Sequence, residues 1–381
     1  SLERMMAAVR GESLDRYPVM NPYPFYSLQP YWPELAGLTF IHPYNGSDKE
    51  RLACYHAAHE QLGIDCLPVW GGPCGQDKFY RIENKAGDCP STWSAVEFPL
   101  YVHDLRTDKR SRVDDYYIDP PVEQRRYNTV ADVEAEAPPP TAAELLANGS
   151  LELTHKIVRD MGATVFLYCD VGGPFSRCFR SLTFEGLFEA LIVDPPLVHA
   201  IAERRTSGLI QFARAQADAG IHAIRINEYP CGADLISDEQ FTQFVLPYLK
   251  QLVDAFHDLG LLVILEFLGW VEPRLKHIAK LEVDILQIES SMKGYRNDVA
   301  ECRRVLGDGV CILGNSPILV IEKGDENAWR ADAEQQSRGI GAGGRFGICT
   351  GSPTTRATPP QRLRDWGRFM QDYLTPERTS I

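Results

Sequence analysis

The feature that most constrains this chain is a set of short apolar runs, each closed by a polar residue. TVFLYC is closed by Asp170, AIRIN by Glu228, LVIL by Glu266, ILQI by Glu289 and VCILG by Asn315. A further run, FGICTGS, ends in Cys349, Thr350 and Ser352. Runs this short and β-rich, separated by roughly 20 to 40 residues of helical pattern, read as parallel strands joined by crossover helices. Closed on itself, such a set is a (β/α)8 TIM barrel, and one rim collects all of these polar groups where barrel active sites lie. An open doubly wound sheet is the competing arrangement.

Strands are expected at 164–169, 223–227, 262–265, 285–288, 310–314 and 346–349, and two earlier ones near 18–20 and 64–70 bring the total to eight. Residues 2–10 form a helical N-terminal extension. Between 79 and 136 the rhythm breaks: FYRI, AVEFPLYV and DDYYI alternate with turns and predict an antiparallel insertion after the second strand. Three prolines at 138–140 end it, and Thr141-x-x-Glu144 and Ser237-x-x-Gln240 are capping boxes that start helices. Thr358-Pro359 marks the start of the last helix, and a single helix is expected over 238–259. Gly339-x-Gly341-x-x-Gly344 has dinucleotide-loop spacing, but it follows a helix and precedes a strand, the reverse of what a phosphate cradle requires. The expectation is one domain over 1–381.

Composition excludes several classes. With 39 Lys plus Arg against 52 Asp plus Glu, the net charge of −13 disfavours a nucleic-acid partner. No stretch approaches the ~18 uncharged apolar residues of a membrane span, and the opening SLERMMAAVRGESLDR has no apolar export core. Ten cysteines without a CxxC pair indicate reduced thiols, so the expected setting is cytoplasmic, with no membrane association.

The rim carboxylates carry the chemical signal. Like charges a few ångströms apart do not all ionise cheaply, so a crowded group of them either shares a proton or holds a cation. Glu228, Glu266 and Glu289 each read as site groups or as structural carboxylates capping a neighbouring loop. Asp170, before Val-Gly-Gly-Pro, reads equally as a turn-former, and Cys349 as a core thiol or a ligand. The aromatic cluster at 23–32 is a substrate wall or a dimer contact, while His222 and His277 read as structural.

Several longer stretches point to a family. ERMMAAVRGESLDRYPV, GGPF at 172–175, AGIHAIRINEYPCGADLISDEQFTQFVLPYLKQLVDAFHDLG, GN at 314–315 and ICTGSPTTRATPPQRL, in this order and spacing, resemble the uroporphyrinogen decarboxylase superfamily. The resemblance implies one β/α barrel, a homodimer, and one of two chemistries. One branch decarboxylates uroporphyrinogen; the other moves methyl groups to or from a corrinoid protein, with zinc at the barrel mouth. The decarboxylase branch's arginine-rich loop corresponds here to NPYPFY at 21–26, without arginine, and its catalytic aspartate falls near Gly71 and Gly72. Where thiol-methylating members place His-x-Cys, this chain has Glu266 and Leu268, and Ser352 stands at their second cysteine position. GWVEPRLKHIAKLEVDILQIESSMKGY is similar to members that demethylate methoxylated aromatics and use carboxylates in the metal site.

The resemblance therefore implies a corrinoid-linked methyltransferase that takes methyl from a small O-methyl donor such as an aryl methyl ether. Glu266, Glu289, Glu228 and Asp170 would be catalytic, and Glu266, Glu289, Glu228 and Cys349 would hold zinc. Tyr23, Phe25, Tyr26, Trp70 and Asn315 would bind the donor, with Lys293, Arg177 and Arg180 meeting anionic groups of substrate or corrinoid tail. The corrinoid (cobalamin) would arrive on a partner protein. Uroporphyrinogen-type decarboxylation and a non-catalytic corrinoid- or tetrapyrrole-binding barrel are the alternatives.

Overall fold

Eleven strands appear in the computed structural model, which describes residues 1–70, 72, 74–116, 124–291 and 294–376. They are β1 Val19–Met20, β2 Cys66–Pro68, β3 Tyr80–Glu83, β4 Leu100–Asp104, β5 Lys109–Val113, β6 Phe166–Gly172, β7 Ala223–Glu228, β8 Leu262–Phe267, β9 Ile285–Ile288, β10 Cys311–Leu313 and β11 Phe346–Cys349. Eight of them form one sheet in the order β1-β11-β10-β9-β8-β7-β6-β2, with every pairing parallel. The Asp65 N–H donates to the Val19 carbonyl at 2.8 Å, bridging the outer strands and bringing the ring close to closure. This is the expected (β/α)8 barrel with its helices outside.

Side chains alternate along each strand, so every second residue points into the ring. Met20, Cys66, Phe166, Tyr168, Ala223, Ile264, Ile285, Cys311, Leu313 and Cys349 pack together inside it. Met5, Ala8 and Val9 of the N-terminal helix Leu2–Arg10 join the same cluster. That helix begins beside the strand starts, where the Leu2 N–H donates to the Thr164 carbonyl at 2.8 Å, and so plugs the N-terminal end of the ring. The larger apolar cluster lies between the outer face of the sheet and the helices.

The insertion is the antiparallel sheet β3-β4-β5. Its third strand is KRSRV at Lys109–Val113, one segment before the expected DDYYI. An edge strand mostly exposed to water needs no apolar alternation, and this one hides behind its charges. Tyr116 instead packs against Phe40 and Phe98, while Tyr117 and Ile118 lie outside the described residues. The helix expected over 238–259 is two, Asp238–Phe244 and Leu246–Asp258, broken at Val245 just before Pro247, which cannot donate to the preceding turn. The capping boxes of Thr141 and Ser237 both form. Gly339 sits in a helix-to-strand loop against Val299, where any Cβ would collide with its side chain.

Short helical turns at Pro24–Ser27 and His42–Asn45 follow β1 and wall one side of the C-terminal mouth. Among the described residues no helix is long and apolar enough to cross a membrane. Because Met5 fills the closed end of the ring, Met5→Ala is expected to lower unfolding free energy by about 2–4 kcal/mol in urea titrations. A loss under about 0.5 kcal/mol would show that the plug adds nothing to barrel stability.

Candidate active site

Arg225 occupies the centre of the barrel just above the apolar interior and is 2% exposed. It lies on β7 at an inward position, two residues after Ala223. A buried guanidinium must be paired and hydrogen-bonded to be tolerated. Asp170, level with it on β6, accepts from Nε and, at 3.0 Å, from Nη2. Nη1 donates to Gln287 Oε1 at 3.2 Å and stands 3.5 Å from Glu266 Oε1, while Nη2 also donates to the Pro22 carbonyl at 3.2 Å. The rings of Tyr23 and Tyr168 lie 5.2 and 5.3 Å from the guanidinium carbon.

Glu266, fully buried on β8, is held from three more sides. The Tyr23 hydroxyl donates to Oε1 at 2.5 Å, Gln287 Nε2 to the same oxygen at 2.9 Å, and Asn227 Nδ2 to Oε2. Two carboxylates thus share one guanidinium. Glu266 carries a full set of donors, whereas Asp170 reaches the cavity above and keeps 22% of its side chain exposed. Burial pushes the Asp170 carboxyl above its usual range, against the pull of Arg225. Burial, followed by the Glu266 carboxylate, raises the Tyr23 phenol well above its ordinary value.

Glu228 goes elsewhere. It follows Asn227 directly, so the strand alternation turns it to the outer face of β7. There Oε1 accepts from the backbone N–H and the hydroxyl of Ser176, both at 2.7 Å, capping the start of helix Pro174–Leu182. A Cβ on Gly173 would overlap this carboxylate, so the turn requires glycine. Oε2 has no partner, and burial pushes the group up to about 7.

The other expected site residues are also dispersed. Glu289 accepts from the Gly269 N–H at 3.0 Å and the Tyr295 hydroxyl at 2.6 Å, and borders a shallower cavity beside Tyr26, Ser352 and Arg356. Cys349 is fully buried in the barrel interior, its sulfur 3.4 Å from the Thr350 carbonyl, and burial raises its thiol well above the usual range. Asn315 is buried and ties together the Glu289 and Asn297 carbonyls at 3.1 and 2.9 Å, so its amide is a strap between loops. Among the described residues no three His, Cys, Asp or Glu side chains converge as a metal requires. Glu266, Glu289, Glu228 and Cys349 therefore do not fit the zinc expected of them. Of the structural histidines, His222 accepts from the Leu167 N–H at 2.9 Å and His277 pairs with Asp238. Gly71 and Lys293 lie outside the described residues.

Above Arg225 opens a cavity of about 620 Å³. Tyr23, Phe25, Tyr26 and Trp70 line it, joined by Tyr44, and Asp170, Arg225 and Asn227 are polar groups of its lining. Phe25 packs on Trp70 with ring centres 4.6 Å apart, and Tyr44 stacks on Trp70 at 5.3 Å. Arg225, Asn227, Gln287 and Tyr44 were not anticipated. The signal for the first three was present as polar residues inside apolar runs, AIRIN and ILQI, spaced by two from other inward positions.

A cavity at the C-terminal rim of a parallel eight-stranded ring, with ionisable groups at its base and aromatic walls, is the arrangement of a β/α-barrel enzyme. The chain belongs to the uroporphyrinogen decarboxylase (URO-D) family, whose family model matches residues 112–373. Chloroplastic uroporphyrinogen decarboxylase 2 of Arabidopsis thaliana is 29% identical over 155 residues, 38% of this chain and 37% of that protein. The uroporphyrinogen decarboxylase of Hordeum vulgare is 27% identical over 176 residues, 45% of this chain and 48% of that protein. The chain thus spans less than half the length of these curated relatives. A methyltransferase from Methanosarcina mazei has the same fold, with a TM-score of 0.65 at 18% identity over 98% of this chain and 99% of its own.

The buried Glu228 makes stability depend on pH. A carboxyl at about 7 when folded, against 4.5 ordinarily, keeps its proton better in the native state. Its contribution is full below about pH 4.5 and is lost as pH rises to about 7. Between pH 5 and 8 the wild type should lose about 2–3 kcal/mol more unfolding free energy than Glu228→Gln. Parallel pH profiles for the two proteins would remove Glu228 as the cause.

Proposed function

We propose that this chain is a methyltransferase that takes a methyl group from a small O-methyl donor and passes it to a corrinoid on a separate protein. The supporting observation is the pair of carboxylates sharing one buried guanidinium, with Asp170 the member that reaches an aromatic-walled cavity. Breaking a methyl–oxygen bond leaves negative charge on the oxygen, and that charge must be met as it develops. Arg225, Asp170 and Glu266 together carry one excess negative charge in a buried setting, which favours uptake of one proton. Asp170 holds that proton and gives it to the departing oxygen, leaving an alcohol or phenol and an Asp170 carboxylate paired to Arg225. Glu266, satisfied by Tyr23, Asn227 and Gln287, keeps the guanidinium in place. Phe25, Tyr26, Tyr44 and Trp70 give a flat donor its apolar walls. The corrinoid supplies the methyl acceptor.

The geometry of the base needs no metal ligand from Glu228, Glu289 or Cys349. The fold shared with the Methanosarcina mazei methyltransferase is compatible with this reading. A second reading, decarboxylation, is supported by the curated relatives, and the same acid could protonate the carbon left after loss of CO2. The stretch 21–26, NPYPFY, offers no cation for a polycarboxylate, which favours the first reading.

The test is transfer of a deuterated methyl group from aryl methyl ethers to a reduced corrinoid, followed by mass spectrometry. Asp170→Asn should lower kcat by about 10²- to 10⁴-fold, and the wild-type rate should fall as rising pH removes the proton from Asp170. Full activity in Asp170→Asn would sink this assignment. CO2 release from a carboxylated pyrrole without methyl transfer would establish the second reading, and tetrapyrrole binding without turnover a non-catalytic barrel.

A further inference from the structure

The N-terminal end of the barrel, opposite the aromatic-walled mouth, carries a concentration of positive charge. A cavity of about 260 Å³ opens there between the entry to β1, the end of the helix Asp48–Leu62 and the last helix, Pro360–Tyr373. Arg16, Arg364 and Arg368 line it, together with Glu60 and Gln371. Arg16 shortly precedes β1, and Gly63, which ends the helix Asp48–Leu62, shortly precedes β2. The lining therefore comes from both ends of the chain. β1 pairs with β11, and the last helix, which follows β11, packs on the helix Asp48–Leu62. The buried Gln371 fastens this seam, its Nε2 donating to the Tyr17 carbonyl at 3.0 Å.

The charges around this cavity do not balance. Arg364 donates from Nε to the Gln61 carbonyl at 3.0 Å and from Nη2 to the Glu60 carbonyl, which caps the helix end and fixes the guanidinium. Arg16 and Arg368 are exposed, and among the described residues no carboxylate lies within ion-pair distance of any of the three arginines. Asp15, beside Arg16, is taken by Arg4 through two hydrogen bonds of 2.8 and 2.6 Å. Three guanidiniums thus stand against the Glu60 carboxylate and two helix ends worth roughly half a negative charge each, an excess of roughly one positive charge. In a chain of net charge −13 this is a local reversal of sign.

The arrangement also has a shape. Arg364 and Arg368 are four apart on one helix, so their side chains lie on the same face, and Arg16 reaches the same cavity from the strand entry. A carboxylate is planar and satisfies one guanidinium fork. A phosphate group carries about −1.5 to −2 charges at pH 7 and presents oxygens in more than one plane, which suits guanidiniums arriving from two parts of the chain.

We propose that Arg16, Arg364 and Arg368 bind a phosphate group, either the free ion or a phosphomonoester, and that the bound anion clamps the first and last β/α units of the barrel together. The proposal does not depend on the reading of the aromatic-walled cavity. Arg364 orients the site while capping a helix, so Arg16 and Arg368 are the residues to alter.

Isothermal titration and calorimetric unfolding of the full chain test this, with inorganic phosphate and AMP as probes and chloride of equal ionic strength as the reference. Arg16→Gln/Arg368→Gln should weaken binding at least about tenfold. Phosphate at a hundred times its Kd should raise the Tm of the wild type by about 3 °C over chloride, and that rise should vanish in the double variant. Arg177→Gln, altered at the other end of the barrel, should keep both the affinity and the rise. AMP binding at least about tenfold tighter than inorganic phosphate would identify a nucleotide as the source of the group; equal or weaker binding would identify the free ion. Binding of neither probe, or undiminished affinity in the double variant, would overturn the site. So would a Tm rise of equal size in both proteins, which would be general stabilisation by an excluded salt.

Discussion

A guanidinium inside a ring of parallel strands is the constraint around which this structure is arranged. Arg225 cannot reach bulk water, so the strands on either side of β7 must supply its partners. The parallel register puts Asp170 level with Arg225, and Glu266 level with both Asn227 and Gln287, so the partners of the cation also partner one another. Below this layer the ring is apolar and closed by the N-terminal helix; above it the mouth is polar and open. Removing Arg225 would leave two buried carboxylates without their cation, which is why such a group acts as a unit.

The same alternation that brings Asp170 and Glu266 inward sends Glu228 outward, although all three close apolar runs in the same manner. A residue ending a strand faces the barrel or the helices according to whether its distance from an inward position is even or odd. Asp170 is two residues from Tyr168 and Glu266 two from Ile264, both interior; Glu228 is one from Asn227. This parity separates the acidic residues into a site pair and a helix cap. It takes Glu228 out of the four-ligand metal centre that the resemblance implied, while Glu289 is bound to the Gly269 N–H and the Tyr295 hydroxyl and Cys349 lies in the apolar interior, leaving a base built on hydrogen bonds and one cation.

Charge is distributed unevenly across the mouth. Two carboxylates and a guanidinium form the base, apolar rings one wall, and arginines with neutral partners another. A flat apolar ligand with a proton-accepting oxygen suits the base and the aromatic wall. Family membership alone would not distinguish this from a polycarboxylate site, since a shared barrel hosts different chemistry through the residues its loops present.

The strands from 164 onward, the capping boxes, the antiparallel insertion and the aromatic residues of the wall were legible in the sequence, because apolar periodicity and local hydrogen bonding are encoded over a few residues. The KRSRV edge strand was not, since solvent exposure leaves no apolar pattern, nor was the break before Pro247 placed. Arg225 and Gln287 were visible as polar residues within buried runs, but their meaning depended on which neighbours the register set beside them. Sequence by itself determined that a parallel β/α barrel would form and that acidic groups would gather near one end. Only the tertiary structure decided which of them meet, because convergence inside a ring depends on inward or outward parity and on strand register, and both are properties of strands in contact.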